Sequence, residues 1–319
     1  MIDTGTLTIS LDFELFWGMR DKRNLQMSIE PLNKIRDIVP RMLEMFDHYG
    51  IHATWACVGF MFFQNQSELM QNLPAVQPRY KNQNLSPYPY IENTDLDTFP
   101  QLHFAPDLIR QIQKVPGQEI ASHTFSHYYS REAGQSIREF EQDIQSALQA
   151  GRRSGIDIKS LVFPRNQINP EYIPVLHRHG MIAYRGNPES WFYNGDAADK
   201  IEIVRRALRL FDSFANISGH HCVSVHNPHS LPFELPYSFY LRPITCNLKY
   251  IQQLQLHRLA MAMRHAAVHH QNFHLWWHPH NFTHEPELDS KNLQKAIITF
   301  QSLSETNSIR SLNMREMCS

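Results

Sequence analysis

Along this chain, apolar and polar positions fall into short runs of period two separated by longer runs of helical period. Residues 7–13, Leu-Thr-Ile-Ser-Leu-Asp-Phe, alternate and are rich in strand formers, which predicts a first strand. Ile35, Ile38, Met42, Leu43 and Phe46 then line one face of a helix expected over 31–49, and Gly50 stands where a C-terminal cap belongs. Residues 51–59 read as a second strand. The same strand-then-helix rhythm continues through a helix at 106–115, a strand running up to His123, and a helix at 136–151 with Ile137, Phe140, Ile144 and Leu148 on one stripe. A strand at 160–163 is stopped by Pro164. A helix follows at 170–179, then a strand at 181–184. Beyond these come a helix at 203–216, a long helix at 248–270, a strand at 273–278 stopped by Pro279, a helix at 293–303 and a short strand at 309–312.

About seven strands, most followed by a helix, predict an α/β fold: a distorted (β/α) barrel of parallel strands, closed or nearly closed, with one domain over 1–319. Two stretches break the rhythm and are read as insertions. Residues 64–104 are rich in Asn, Gln, Pro and Tyr and are expected to loop out, either over a site or on the surface. Residues 220–243 are rich in Pro, His and aromatics and resist assignment.

Composition narrows the class. Of 319 residues, 42% are hydrophobic, and 30 basic against 31 acidic side chains leave a net charge of −1. That is an ordinary globular composition, without the basic runs that binding a nucleic-acid backbone demands. The longest apolar runs are far short of a bilayer span. Cys57, Cys222, Cys246 and Cys318 show no Cys-x-x-Cys spacing and read as reduced thiols. With no basic-then-apolar leader at the N-terminus, a cytoplasmic location is expected, and peripheral contact with the inner face of the membrane stays open.

In parallel barrels chemistry gathers at the C-terminal ends of strands. Those ends here carry Asp12 and Glu14, His123 and His127, Arg165 and Asn166, Arg185, and His278 and His280. His-x-x-x-His spacing means little by itself in a chain with 19 histidines. It recurs at His48/His52, His265/His269, His270/His274, His274/His278 and His280/His284. An apolar strand before the His123/His127 pair and small polar residues within it set this pair apart. Two imidazoles at that spacing and a carboxylate can hold a divalent ion. Asp12 and Glu14 lie two apart on a strand and so share a face. One can ligate the metal while the other takes a proton from metal-bound water. Alternatively, either acid pairs with Arg165 or Arg185. His278, at the end of an apolar strand, is a candidate general acid, with His280 its rival. Arg165 is a fixed charge that could hold an acid or bind substrate.

Ser10-Leu-Asp-Phe-Glu14, Ser122-His-Thr-Phe-Ser-His127, Phe163-Pro-Arg165 and Leu275-Trp-Trp-His278-Pro, in that order, resemble the motifs of the polysaccharide deacetylase family, the NodB-homology carbohydrate esterases. The resemblance spans residues 7–281, with Ser-His-Thr-x-Ser-His its most specific element. It implies a distorted strand–helix barrel and metal-dependent hydrolysis of an N-acetyl group from an amino sugar of a cell-surface polysaccharide or its precursor. It also implies Glu14, His123 and His127 as ligands of a divalent metal, with Zn2+ first and Co2+, Ni2+ or Mn2+ as substitutes. Asp12 is then the base, His278 the acid and Arg165 the third catalytic group. Phe13 separates the two acids, as in an Asp-x-Glu variant. Arg165 follows Pro164, whereas the family's arginine precedes the proline. Trp191 or Arg185 stands in for the tryptophan motif, and Trp277 joins them as substrate-binding. Three other readings remain: a deformylase or amidase acting on a lipid-linked or small-molecule substrate, a non-catalytic carbohydrate-binding barrel, and a metal-handling protein using the histidines of 265–284.

Overall fold

The computed structural model describes residues 4–193, 201–224, 231–243 and 251–318. Among them, nine strands form one sheet: β1 (Gly5–Phe13), β2 (Ala53–Cys57), β3 (Gln118–Ser122), β4 (Ser160–Leu161), β5 (Ala183–Gly186), β6 (Phe233–Pro236), β7 (Phe239–Tyr240), β8 (Asn272–Trp277) and β9 (Ile309–Ser311). The order is β6-β5-β4-β3-β2-β1-β8-β7, with β9 against the start of β1, and the paired strands run parallel. β6 and β7 belong to one bent segment that joins the two edges. Tyr237 N–H donates to Gly186 O at 3.1 Å, and Ser238 N–H donates to His274 O at 2.8 Å. The sheet is thereby carried round into a distorted barrel. The strands expected from sequence are present with shifted ends. β6 and β7 lie in the unassigned 220–243 stretch, where Pro232 and Pro236 interrupt any period-two signal.

Alternation along each strand separates two environments. Leu7, Ile9, Leu11 and Phe13 of β1 pack outward with the helices Ile35–Tyr49, Pro106–Lys114, Ile137–Arg153, Gln252–His269 and Pro286–Ser304 in the main core. The helix expected over 31–49 is two, Leu25–Asn33 and Ile35–Tyr49, because the Asn24 side chain caps an earlier start by accepting from Gln26 N–H at 2.8 Å. Residues 248–250 of the long helix expected at 248–270 lie outside the described residues.

The inward face of the sheet is different. Thr6 and Thr8 donate to Asn272 Oδ1, both at 2.9 Å, and Ser10 and Asp12 continue the polar row upward. Ala56, Ala121, Val162, Ala183 and Leu235 line the interior with small or medium apolar groups. Met314 and Met317 of the C-terminal tail fill the barrel's lower end. Beside them the buried Glu119 accepts from Thr54, Ser160 and Arg315 N–H at 2.6 to 3.0 Å.

The expected loop at 64–104 is folded rather than open. It carries the short helices Gln66–Met70, Tyr88–Asn93 and Pro100–His103 and buries Ile91, Leu96 and Leu102 completely. The Gln66 amide ties its ends together by donating to Ile91 O at 2.6 Å and Thr94 O at 2.9 Å. Elements of four to six residues are too short to show a period in sequence, and the prolines sit at their starts rather than in their interiors. No helix of the described residues is long and apolar enough to cross a membrane.

Candidate functional site

At the upper ends of β1 and β3, Glu14, His123 and His127 bring one ligand atom each to within 4.8 Å of one another, all buried. Glu14 Oε2 lies 3.0 Å from His127 Nε2 and 3.4 Å from His123 Nε2. The loop that presents the histidines is contorted. Thr124 and His127 have φ of 63° and 57°, a conformation that a β-branched residue such as Thr124 rarely adopts. It persists because hydrogen bonds hold its backbone and its hydroxyl groups. Thr124 N–H donates to Ser122 Oγ at 3.0 Å, and the Thr124 hydroxyl accepts from Tyr128 N–H at 2.7 Å. Asp143, from the Ile137–Arg153 helix, accepts from Phe125 N–H at 2.6 Å, Ser126 N–H at 3.1 Å and the Ser126 hydroxyl. Gly59 permits the close approach of this loop to β2, since a Cβ there would come within 2.8 Å of Phe125 Cα.

The donor set fits a divalent ion. His123 donates from Nδ1 to Val162 O at 2.9 Å, which leaves its buried Nε2 without a partner and with its lone pair free. Burial keeps His127 below its ordinary pKa despite Glu14, aided by the charge of Arg165, so its imidazole is neutral as a ligand must be. Burial would raise the Glu14 carboxyl, but His278, His123 and His127 outweigh it and hold the group well below the carboxylate range. These three residues, one oxygen and two nitrogen donors, would hold such an ion and would leave it a position for substrate or water. Gly18 seats the carboxylate: a Cβ there would lie 1.9 Å from Glu14 Cδ.

Asp12 stands beside this cluster. Arg185 clamps it with two parallel bonds, Nη1 to Oδ1 at 2.6 Å and Nη2 to Oδ2 at 2.8 Å. Burial pushes the Asp12 carboxyl up, but Arg185, His123 and His278 together bring it below its ordinary value, so it is ionised at neutral pH. Arg185 is held in turn by Asn166 Oδ1 at 2.8 Å and by the Ser10 hydroxyl at 3.1 Å. Ser10 faces His274 Nε2 at 2.8 Å, whose Nδ1 lies 3.2 Å from Leu235 O. Burial and then Arg185 push His274 down to about 3, so it is neutral, donating from Nδ1 and accepting the Ser10 proton.

His278 Nε2 lies 3.8 Å from Asp12 Oδ2 and 3.6 Å from Glu14 Oε1. With its side chain 22% exposed, against 3% for Asp12 and 6% for Glu14, it sits at the mouth. His280 Nδ1 is 3.9 Å from Glu14, but burial and then the His278 charge push it down to about 3. A group held neutral in that way is a poor proton donor, which favours His278 over its rival.

Three expected roles are not supported by the placement of the side chains. Arg165 does not reach Asp12: it pairs with Asp21, lies 4.0 Å from Glu132 and stacks 4.1 Å over the Tyr129 ring. The arginine that holds Asp12 is Arg185, expected to bind substrate, because β5 lies close enough across the barrel. Trp277 faces the wrong way. Period two sends it into the outer core against Phe46 and Phe282, whereas Trp276 turns inward beneath Arg185 at 4.2 Å. Trp191 is 55% exposed and packs on Phe192 and Arg205, without contact to the cluster. Sequence reasoning missed Asp143, His274 and Trp276. The last two were legible as the inward partners of His278 at two-residue steps. Asp143 was not, since nothing local announces a helix residue that caps a loop.

A model described as "Polysaccharide deacetylase" matches residues 28–184. Over those residues, just under half of its length, the chain is similar to that family. The fold agrees. A putative polysaccharide deacetylase from Mycobacterium smegmatis superposes with a TM-score of 0.57 at 12% identity, covering 99% of this chain and 90% of that one. A probable polysaccharide deacetylase from Pseudomonas aeruginosa gives 0.55 at 12% identity, with 98% and 90% covered. A 4-alpha-glucanotransferase from Thermococcus litoralis gives 0.50 at 13% identity, with 98% of this chain but 40% of that one covered. No curated protein matches the sequence. The family match begins after Asp12 and Glu14 and ends before His278, so those three residues rest on geometry.

Proposed function

We propose that this chain, acting as one catalytic domain, is a metal-dependent deacetylase. It would remove the N-acetyl group from an amino sugar of a cell-surface polysaccharide or its precursor. The observation that carries the proposal is the convergence of Glu14, His123 and His127 on one point, with His278 Nε2 3.6 Å from Glu14 and 3.8 Å from Asp12. These three residues would hold the ion, and a mixed oxygen–nitrogen set with three protein ligands suits Zn2+ best, with Co2+, Ni2+ or Mn2+ as substitutes. Bound there, the ion supplies Lewis acidity, lowering the pKa of a water and polarising the amide carbonyl.

The chain's own groups account for the rest. Asp12, ionised and clamped by Arg185, takes the proton of the attacking water on a carboxylate oxygen. As the water oxygen bonds to the carbonyl carbon and the C–N bond breaks, His278 gives its Nε2 proton to the departing amine nitrogen. The products are acetate and a free amino sugar. The walls around Asp12 and Glu14 exclude bulk water and strengthen each of these interactions. Cys57, Cys222 and Cys318 are free thiols, which suits a cytoplasmic enzyme acting on a precursor; Cys246 lies outside the described residues.

Elemental analysis tests the site first. About one divalent ion per chain is expected in the wild type and none in His123→Ala. Acetate release from N-acetylated sugars is then expected to be lost in Asp12→Asn while the metal stays. A wild type that takes up no metal, or an Asp12→Asn variant that turns over normally, would sink the proposal. Release of formate instead of acetate would reassign the acyl group.

A further inference from the structure

The turn that seats Glu14 runs directly into Arg20-Asp-Lys-Arg23, a cationic loop at the mouth of the site. The loop is pinned. Lys22 N–H and Arg23 N–H both donate to Met19 O at 2.9 Å, and Asn24 caps the helix that follows. Its Asp21 is tied to the site wall, accepting from the Tyr129 hydroxyl at 3.3 Å, and the Tyr129 ring lies 5.1 Å from that of His127. Lys22 and Arg23 thus flank the metal cluster on a fixed backbone, with exposed side chains.

The acids nearby are already engaged. Asp21 pairs with Arg165, Glu132 lies 4.0 Å from Arg165, and Glu202 is shared between Arg206 at 3.1 Å and Arg209 at 2.6 Å. Among the described residues neither Lys22 nor Arg23 has a carboxylate partner. Like charges crowd them: partial burial, then Arg165 and Arg206, depress the Lys22 ammonium's pKa against the pull of Asp21 and Glu14, and Arg23 acts on His280. In a chain of net charge −1 this excess is local. Cations held together beside the site without a carboxylate partner among the described residues are favourable to an anion.

We infer that the mouth of this site selects an anionic amino-sugar substrate, in which a phosphate or carboxylate group next to the N-acetylated residue is met by Lys22 and Arg23. The inference rests on the deacetylase reading for the sugar but is tested by binding alone. Zinc-loaded full-length protein would be titrated calorimetrically with N-acetylglucosamine 1-phosphate, with a disaccharide of N-acetylglucosamine and glucuronate, and with neutral chitobiose. At least one anionic probe is expected to bind about tenfold or more tightly than chitobiose. That advantage should shrink as salt rises from ~50 to ~300 mM. It should fall toward unity in the double variant Lys22→Ala/Arg23→Ala, checked for folding by circular dichroism. The phosphate and glucuronate arms say which anion is meant. Equal affinity for charged and neutral probes overturns the inference, as does a preference that survives both salt and the double variant. A charge preference without any acetate release would leave the inference standing and defeat the deacetylase reading.

Discussion

Gly18 and Arg185 show how single residues set this site. Gly18 leaves the volume that the Glu14 carboxylate occupies, and an alanine methyl would overlap Glu14 Cδ at 1.9 Å. Because Glu14 is a movable side chain, Gly18→Ala should fold normally but turn the carboxylate away from His123 and His127. Metal affinity is expected to fall about tenfold or more, as when a supporting partner of a ligand is lost, in a competition titration with a chelator. Unchanged affinity would remove Glu14 from the ligand set. Arg185 carries the charge that keeps Asp12 ionised in a buried place. Arg185→Met leaves that carboxylate unpaired, which should cost about 3–5 kcal/mol in urea unfolding at neutral pH. It should also raise the Asp12 pKa, so the acid limb of a kcat/KM profile moves to higher pH. A limb that stays in place would mean that Asp12 is not the titrating base.

Among the elements, the Ile137–Arg153 helix does more than cover the sheet. Its Ser136 and Glu139 form a capping box, and its Asp143 reaches up to hold the histidine loop. Burial lifts the Asp143 carboxyl from 3.8 to about 6, even though the loop's donors pull it down. The folded chain therefore holds this proton more tightly than the unfolded chain does. Stability from this group is fully present below pH 3.8 and is lost as pH rises to about 6, a change of about 3 kcal/mol. Urea unfolding of wild type and Asp143→Asn across that range should show wild type gaining on the variant as pH falls. A difference that does not depend on pH would contradict the assignment. The sequence showed this helix through its apolar stripe and showed the histidine loop through its motif. The bond between them could not be read, because residues 17 or 18 apart meet only once the helix docks.

For the molecule as a whole, the barrel is polar and reactive at the top, lined with small apolar groups in the middle, and plugged below by the C-terminal tail. Met314 is fully buried in that plug. Met314→Ala should cost about 2–5 kcal/mol of stability, measured by urea unfolding, and leave metal content unchanged because the site lies at the opposite end. Loss of metal together with stability would show that the two ends are coupled. The bent segment Phe233–Tyr240 has the other global role, joining the β5 and β8 edges and setting Tyr240 4.5 Å from Trp276 beside His278.

The sequence by itself determined the strand–helix rhythm, the barrel class, and the two short motifs that place Asp12, Glu14, His123 and His127. Each of those signals is local, written in periodicity or in residues a few positions apart. Only the tertiary structure decided that Arg185 rather than Arg165 clamps Asp12, that Trp276 rather than Trp277 faces inward, and that His278 rather than His280 stands beside Asp12. Those outcomes depend on which strands become neighbours, on which side of the sheet a residue falls, and on how deeply each charge is buried, and none of these exists until the barrel has closed.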